Sequence, residues 1–416
     1  MELKRVVVTG IGTISPVGLT AKETWDNVVK GVGGCDLIKQ YDTTNFKTKF
    51  ACEVKNYDPL QYFEKKGVKR IDKFTQFALI AADEAIKDSK IDLDKTDRLK
   101  AGVIWSSGIG GVESYYQEVK GFVEGNFIPR FSPFFIPKII SNIAAGQISI
   151  KHGLMGPNYC VVSACASSSN AIIDSYNLIR LGMSDFMVTG GSEAAVNETG
   201  MGGFISMMAI STNNEEYKTA SRPFCATRDG FVMGEGGCGL ILEEYEHAKA
   251  RGAKIYAEMV GAGLSADAYH LTAPHPEGIG AALVMRNAMK DAGIKAEDID
   301  YINVHGTATP LGDIAEMKAI INVYGEAAYK LNISSTKSIV GHLLGAAGAM
   351  EASFAIMSIV DGIVPPTINH KQQDENIDSR LNLTLHKAQK RNIEYAMSNT
   401  FGFGGHNTCV IFKKAE

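Results

Sequence analysis

Cys165 stands between small residues where the apolar run Asn158–Ser163 gives way to the helix-period segment Ala166–Leu181. A strand ending in so tight a turn leaves the sulfur at a helix N-terminus, where the macrodipole and free N–H groups favour thiolate. A free thiol is only about 3% ionised at neutral pH, so a depressed pKa is expected for a working nucleophile. His305 closes a second strand-like run, Asp300–Val304, ahead of Gly306, Thr307 and Thr309. Lys337 and His342 follow a third, Leu331–Ser335, and the small residues Gly345 to Gly348 then let a helix pack closely. Histidines in apolar surroundings tend to the neutral form and can donate from one ring nitrogen. Phe403 sits among Gly402, Gly404 and Gly405, in a loop whose backbone N–H groups can face an oxyanion. Together these residues point to covalent catalysis by a cysteine.

Apolar runs ending in small-residue loops occur at Arg5–Thr9, Ala101–Trp105, Phe186–Thr189 and Gly239–Glu243, with helix-period segments at Asp72–Lys90 and Ile136–Lys151. Further runs at Ile255–Gly261, Tyr395–Asn399 and Thr408–Phe412 repeat the pattern. Alternating strands and helices predict an α/β fold with a largely parallel sheet. The tetrad Ala85-Ile86-Lys87-Asp88 returns as Ala288-Met289-Lys290-Asp291, which predicts two similar βαβ halves, residues 1–255 and 256–416, related by a pseudo-twofold. The surplus of the first half, at 20–70, 106–135 and 197–230, is where lids and interfaces are expected.

The chain has 416 residues, 45% hydrophobic and 21% charged, proportions that exclude disorder. Its formal charge of −4 argues against nucleic-acid binding. No apolar run suggests a membrane span, and the start MELKRVVVTG has no signal-peptide pattern. Seven cysteines without a C-x-x-C pair predict a reduced, cytoplasmic chain. Cys35, Cys52, Cys160, Cys225, Cys238 and Cys409 read as buried structural thiols. The sequence Gly234-Glu235-Gly236-Gly237-Cys238-Gly239 matches a dinucleotide fingerprint only literally, since it leads into a strand. His270 and His275 lack a zinc ligand set, and no metal site is expected.

S-A-C-A-S-S, V-H-G-T-A-T-P-L-G-D, S-S-T-K, G-H-L-L-G-A-A-G and N-T-F-G-F-G-G, taken together, resemble the β-ketoacyl-[acyl-carrier-protein] synthases, type II in particular. The likeness runs through the whole chain. It implies a thiolase-like fold layered α-β-α-β-α, a homodimer, and acyl carrier protein as partner. It implies no cofactor bound by the enzyme itself, the substrates arriving on the carrier's phosphopantetheine. By this resemblance Cys165 takes the acyl chain as a thioester, and His305 and His342 stabilise the enolate left when malonyl-carrier-protein loses carbon dioxide. The N–H groups of Cys165 and Phe403 form the oxyanion hole, and Lys337 sets the field of the histidines. Thr307 and Thr309 would bind the phosphopantetheine arm, Ile109 would line the acyl tunnel, and Phe403 would gate it. Asp313 and Glu351 are expected as supporting partners.

The chain departs from the pattern at His406, where threonine is usual, at Cys225, where aspartate is common, and at Met208, where many relatives carry arginine. Lys65, Lys66, Lys69 and Arg70 offer a basic cluster for an acidic carrier. The gate loop lacks the second cysteine of degradative thiolases, and His342 stands against a Cys-His-Asn enzyme. Polyketide or polyene elongation, a non-catalytic partner subunit and thioester hydrolysis remain open at this level.

Overall fold

The structure, a computed structural model, describes residues 3–415. Ten strands form one sheet: β1 Val6–Ile14, β2 Ala101–Ser106, β3 Asn158–Tyr159, β4 Phe186–Glu193, β5 Gly236–Glu244, β6 Ala257–Ala266, β7 Tyr301–Asn303, β8 Asn332–Ser334, β9 Tyr395–Gly402 and β10 His406–Lys414. Outward from the centre the order is β1-β5-β4-β2-β3 on one side and β6-β10-β9-β7-β8 on the other. Each half therefore repeats the same winding. The halves join where Val6–Val8 pair antiparallel with Ala257–Met259.

The sheet is mixed rather than largely parallel. In each half the two outer ladders, β4–β2–β3 and β9–β7–β8, are parallel, while β5 and β10 run antiparallel to both neighbours. The last strand of each half returns directly beside its predecessor, and the β9–β10 connection is only the three residues 403–405.

Helices α1 Lys73–Ser89, α2 Ile143–His152, α3 Ser167–Arg180, α4 Ile279–Ala292, α5 Pro310–Tyr324 and α6 Ala347–Asp361 supply the layers. α1 lies on β1, β5 and β4; α4 lies on β6 and β10; α3 and α6 lie between the half-sheets and touch strands of both. The three largest apolar clusters are accordingly one central and two outer, giving the α-β-α-β-α order. The recurring tetrad has a packing cause. Cβ atoms on Gly10 and Gly12 of β1 would come within 2.2 Å of the Ala85 carbonyl and 2.1 Å of that of Ala81. On Gly261 and Gly263 of β6 they would meet the carbonyls of Ala288 at 2.5 Å and Val284 at 2.2 Å. Glycine in the strand and small residues on the helix let each pair approach. Hence Gly10-Ile11-Gly12 is the middle of β1, which runs on past the expected Thr9.

Two other expectations are corrected. The predicted helix Ile136–Lys151 is broken into Phe135–Ile139 and α2 around the extended Ile140. The predicted strand Asn158–Ser163 keeps only Asn158 and Tyr159 as ladder, because the chain must turn towards Cys165. Leu344–Asp361 is long and apolar enough to pass as a membrane span, with mean hydropathy 1.3 over 18 residues, but 83% of it is buried inside the fold. Its apolarity belongs to the central layer.

Candidate active site

Small residues bring Cys165 and the two histidines together. At the crossing of α3 and α6, a Cβ on Gly348 would lie 2.1 Å from Ser169 Oγ, and Ala349 N–H donates to Ser168 Oγ at 2.9 Å. The helix after Cys165 and the helix after His342 therefore touch at their N-termini. Ala164 takes a left-handed φ of +52° and turns Cys165 into the interior, just ahead of Ser167, where α3 begins. Ser167 Oγ accepts from Ser163 N–H and donates to the Ala164 carbonyl, closing the turn.

His342 Nε2 lies 3.1 Å from Cys165 Sγ. The His305 and His342 rings meet edge to face, centroids 5.3 Å apart. His342 is fixed through its backbone: its N–H donates to Val232 and its carbonyl accepts from Gly234. The His305 turn is held by a residue the sequence did not reveal. Glu316 accepts from the N–H groups of His305 at 2.9 Å and Gly306 at 2.8 Å. Glu193 does the same for the loop beside the nucleophile, accepting from Ser107 Oγ, Gly108 N–H and Gly345 N–H. Acidic residues at the buried end of β4 and on the inner face of α5 were the available signal, since such groups stay buried only when bonded.

Lys337 is buried and pairs with the buried Glu351. Burial first, then the Lys337 charge, drives the imidazoles of His305 and His342 well below their ordinary pKa, so both are neutral as expected. The Cys165 expectation is corrected. Burial pushes the thiol up to about 12, against the opposing Lys337 charge and the Phe403 N–H, so the resting sulfur is a thiol rather than an abundant thiolate. Burial outweighs the helix terminus here. Burial raises Glu351 to about 7 against the Lys337 charge.

Phe403 backbone N–H reaches the sulfur, and a Cβ on Gly402 would fall 2.6 Å from the Ser163 carbonyl and 3.3 Å from Cys165 N. Only glycine lets this hairpin lie against the nucleophile turn. The loop is tied to residues 267–271 by Gly404 N–H to the Leu271 carbonyl and Asp267 N–H to the Gly405 carbonyl. His406 is exposed, its ring folded against Gly404.

These groups face a cavity of about 500 Å³ whose walls include Cys165, His305, His342, Thr307, Thr309 and Phe403. Thr307 and Thr309 lie with their hydroxyls 3.1 Å apart. Met208 stands at the mouth, 87% exposed. Asp313 is a tie beneath the wall: it accepts from Phe224 and Ala308 N–H groups and lies 3.4 Å from Arg228, while burial raises it to about 6. Ile109 is not brought into this cavity. Its side chain is 39% exposed, because Glu193 holds the loop so that Gly108 rather than Ile109 faces the nucleophile turn. Lys65, Lys66, Lys69 and Arg70 are all exposed, with Arg70 over the Phe134 ring. The arrangement sets a thiol, the ring nitrogen of His342, the ring of a second neutral histidine and backbone N–H groups around one point.

The chain matches the N-terminal domain of β-ketoacyl synthases over residues 3–248 and the C-terminal domain over 256–371. It is 48% identical over 413 residues to 3-oxoacyl-[acyl-carrier-protein] synthase 2 of Staphylococcus aureus (strain COL), covering 99% of both chains. It is 48% identical over 417 residues to the protein of that name from Vibrio cholerae, covering both completely. Among solved structures it resembles a β-ketoacyl synthase from Burkholderia phymatum with a TM-score of 0.91 at 33% identity, over 99% of this chain and 100% of that one. It also resembles a type II polyketide ketosynthase in complex with its acyl-carrier protein, with a TM-score of 0.93 at 31% identity over 99% and 100%.

Proposed function

The chain belongs to the β-ketoacyl synthase family, and from that premise we propose the course of its reaction. It is a condensing enzyme of fatty-acid biosynthesis that lengthens an acyl chain on acyl carrier protein by two carbons from malonyl-carrier-protein. The observation that carries the proposed mechanism is the His342 Nε2 to Cys165 Sγ contact of 3.1 Å.

In the first half-reaction the Cys165 thiol attacks the acyl thioester while its proton passes to His342 Nε2 and on to the departing phosphopantetheine sulfur. The tetrahedral oxyanion takes hydrogen bonds from the N–H groups of Cys165 and Phe403. In the second, malonyl-carrier-protein enters with its arm along Thr307 and Thr309. The carboxylate leaves as carbon dioxide, and the enolate oxygen takes hydrogen bonds from the neutral rings of His305 and of His342, whose ring proton has by then exchanged from Nδ1 to Nε2. The enolate carbon attacks the acyl-Cys165 carbonyl, the C–S bond breaks, and Cys165 leaves as thiolate and takes one proton from water. The products are a 3-oxoacyl chain on the carrier and carbon dioxide, with no cofactor required.

The acyl chain extends past Ile109, on the side of Cys165 away from the cavity, and a second copy of the chain closes that side as a homodimer. The exposed edge strand β3 and the exposed apolar side chains of Ile109, Ile136, Ile140 and Val162 support this. The carrier protein docks over the mouth beside Met208 and uses the cluster Lys65, Lys66, Lys69 and Arg70. A cytoplasmic location agrees with seven free cysteines among the described residues. The test is mass spectrometry of the products from purified enzyme, malonyl-carrier-protein and a series of acyl-carrier-proteins. A 3-oxoacyl-carrier-protein two carbons longer is expected; free acid alone would overturn the reading.

A further inference from the structure

Away from the cavity, the sulfur of Cys225 sits in a shell of hydrogen-bond donors. Its Sγ lies 3.3 Å from Thr227 Oγ1 and 3.4 Å from the Lys371 N–H. Burial works against an anion there, but the Thr227 hydroxyl and the backbone N–H groups of Lys371, Thr227 and Gln372 outweigh it and hold the thiol below its ordinary value. Cys238, Cys409 and Cys52 are pushed the other way, the first two mainly by burial and Cys52 mainly by its hydrogen bond to Cys35.

A second observation comes from Arg222. This guanidinium is 1% exposed, and its Nε and Nη2 have no partner among the described residues. Its Nη1 is paired with Glu216 Oε2 at 2.9 Å and also donates to Thr227 Oγ1 at 3.2 Å, the same hydroxyl that touches the Cys225 sulfur. Unpaired buried donors are costly, so the two free N–H groups of a guanidinium that shares the Thr227 hydroxyl with this thiol call for a further acceptor, even with Nη1 paired to Glu216. An oxygen on sulfur would supply one. Cys225 is itself buried, but Ala226, Thr227, Lys371 and Gln372 around it are exposed, so only one layer separates it from solvent.

We propose that Cys225 is a second reactive cysteine, a site that hydrogen peroxide converts to a sulfenate held by the Thr227, Lys371 and Arg222 donors. The Cys225 thiolate attacks one peroxide oxygen, the S–O bond forms and the O–O bond breaks. Sulfur is oxidised by two electrons, and the departing hydroxide takes the sulfenic proton as water. The chemistry is separate from acyl transfer at Cys165 and does not depend on it.

The folded protein is exposed to hydrogen peroxide at neutral pH, trapped with dimedone and mapped by peptide mass spectrometry. The Cys225 peptide is expected to label about tenfold or more faster than those of Cys238 and Cys409, as one pKa unit of extra thiolate alone gives tenfold. Cys225→Asp keeps an anion on the same donors, so it is expected to fold and to lose the label. Thr227→Val removes one donor to the sulfur and is expected to slow labelling roughly tenfold; because it also takes an acceptor from Arg222 Nη1, labelling is compared at a temperature at which its melt shows it folded. Labelling of Cys225 no faster than that of Cys238, or an unchanged rate in Thr227→Val, overturns the proposal.

Discussion

His342 Nε2 lies 3.1 Å from Cys165 Sγ, whereas among the described residues no hydrogen bond joins His305 to the sulfur, although its ring is 5.3 Å from that of His342. The two histidines thus share the cavity but not the same partner. His305→Ala should slow malonyl decarboxylation by about 10²–10³ and spare most acyl transfer to Cys165, because only an enolate donor is lost. His342→Ala should lower both half-reactions, since it also removes the acceptor beside the thiol. Separate assays of acyl transfer and carbon dioxide release check this, and equal losses in both variants would contradict it.

The Lys337–Glu351 pair is buried on both sides. Lys337→Met leaves Glu351 unpaired, and a cost of about 3–5 kcal/mol in unfolding free energy is expected. Lys337→Met with Glu351→Gln should recover much of that cost. The double variant should still decarboxylate poorly at mildly acid pH, because without the Lys337 charge the two imidazoles regain protons more readily. Denaturant melts and the pH profile of carbon dioxide release measure the two effects independently.

Both imidazoles stay neutral in the folded chain well below the pH at which unfolded histidine protonates. Below about pH 6.5 the unfolded chain therefore binds more protons at these positions, and stability falls as pH falls. Each histidine contributes up to about 1.4 kcal/mol per pH unit in that window. Urea midpoints of the native chain and of His305→Gln between pH 7 and pH 5 should diverge in slope; parallel curves would remove the argument.

Ile109 is exposed in the single chain, one residue before Gly110, where an added Cβ would meet the Ile139 carbonyl at 2.6 Å. If the acyl chain runs along this face under the cover of a second copy, Ile109→Phe should slow acylation by long chains far more than by short ones. Each buried CH₂ is worth about 0.8 kcal/mol, so a blocked path discriminates steeply by length. An unchanged ratio of long-chain to short-chain rates would place the acyl path elsewhere.

Much of this site could be read from the sequence because its chemistry is local. Cys165 and His305 each follow a strand run and precede small residues, and Lys337 and His342 follow a third run ahead of the small residues Gly345–Gly348; those patterns mark turns into the interior. The two similar halves were legible through the Ala85/Ala288 repeat, which records where strand glycines meet helix carbonyls, while the layering came from the family resemblance. Non-local features were not legible. Glu316 and Glu193 act only after folding brings their carboxylates under the His305 and Gly108 turns. The thiol state of Cys165 depends on burial by elements far along the chain, which a helix-terminus argument cannot weigh. The directions of β5 and β10 likewise follow from which strands become neighbours.

The central claim is that an acyl chain rests on Cys165 before carbon–carbon bond formation. The most direct measurement incubates the enzyme with acyl-carrier-protein alone, maps the adduct by peptide mass spectrometry, and then adds malonyl-carrier-protein. The account predicts an acyl mass on the Cys165 peptide that malonyl-carrier-protein chases into 3-oxoacyl-carrier-protein. An adduct on another residue, or a chase that releases only free acid, would contradict it.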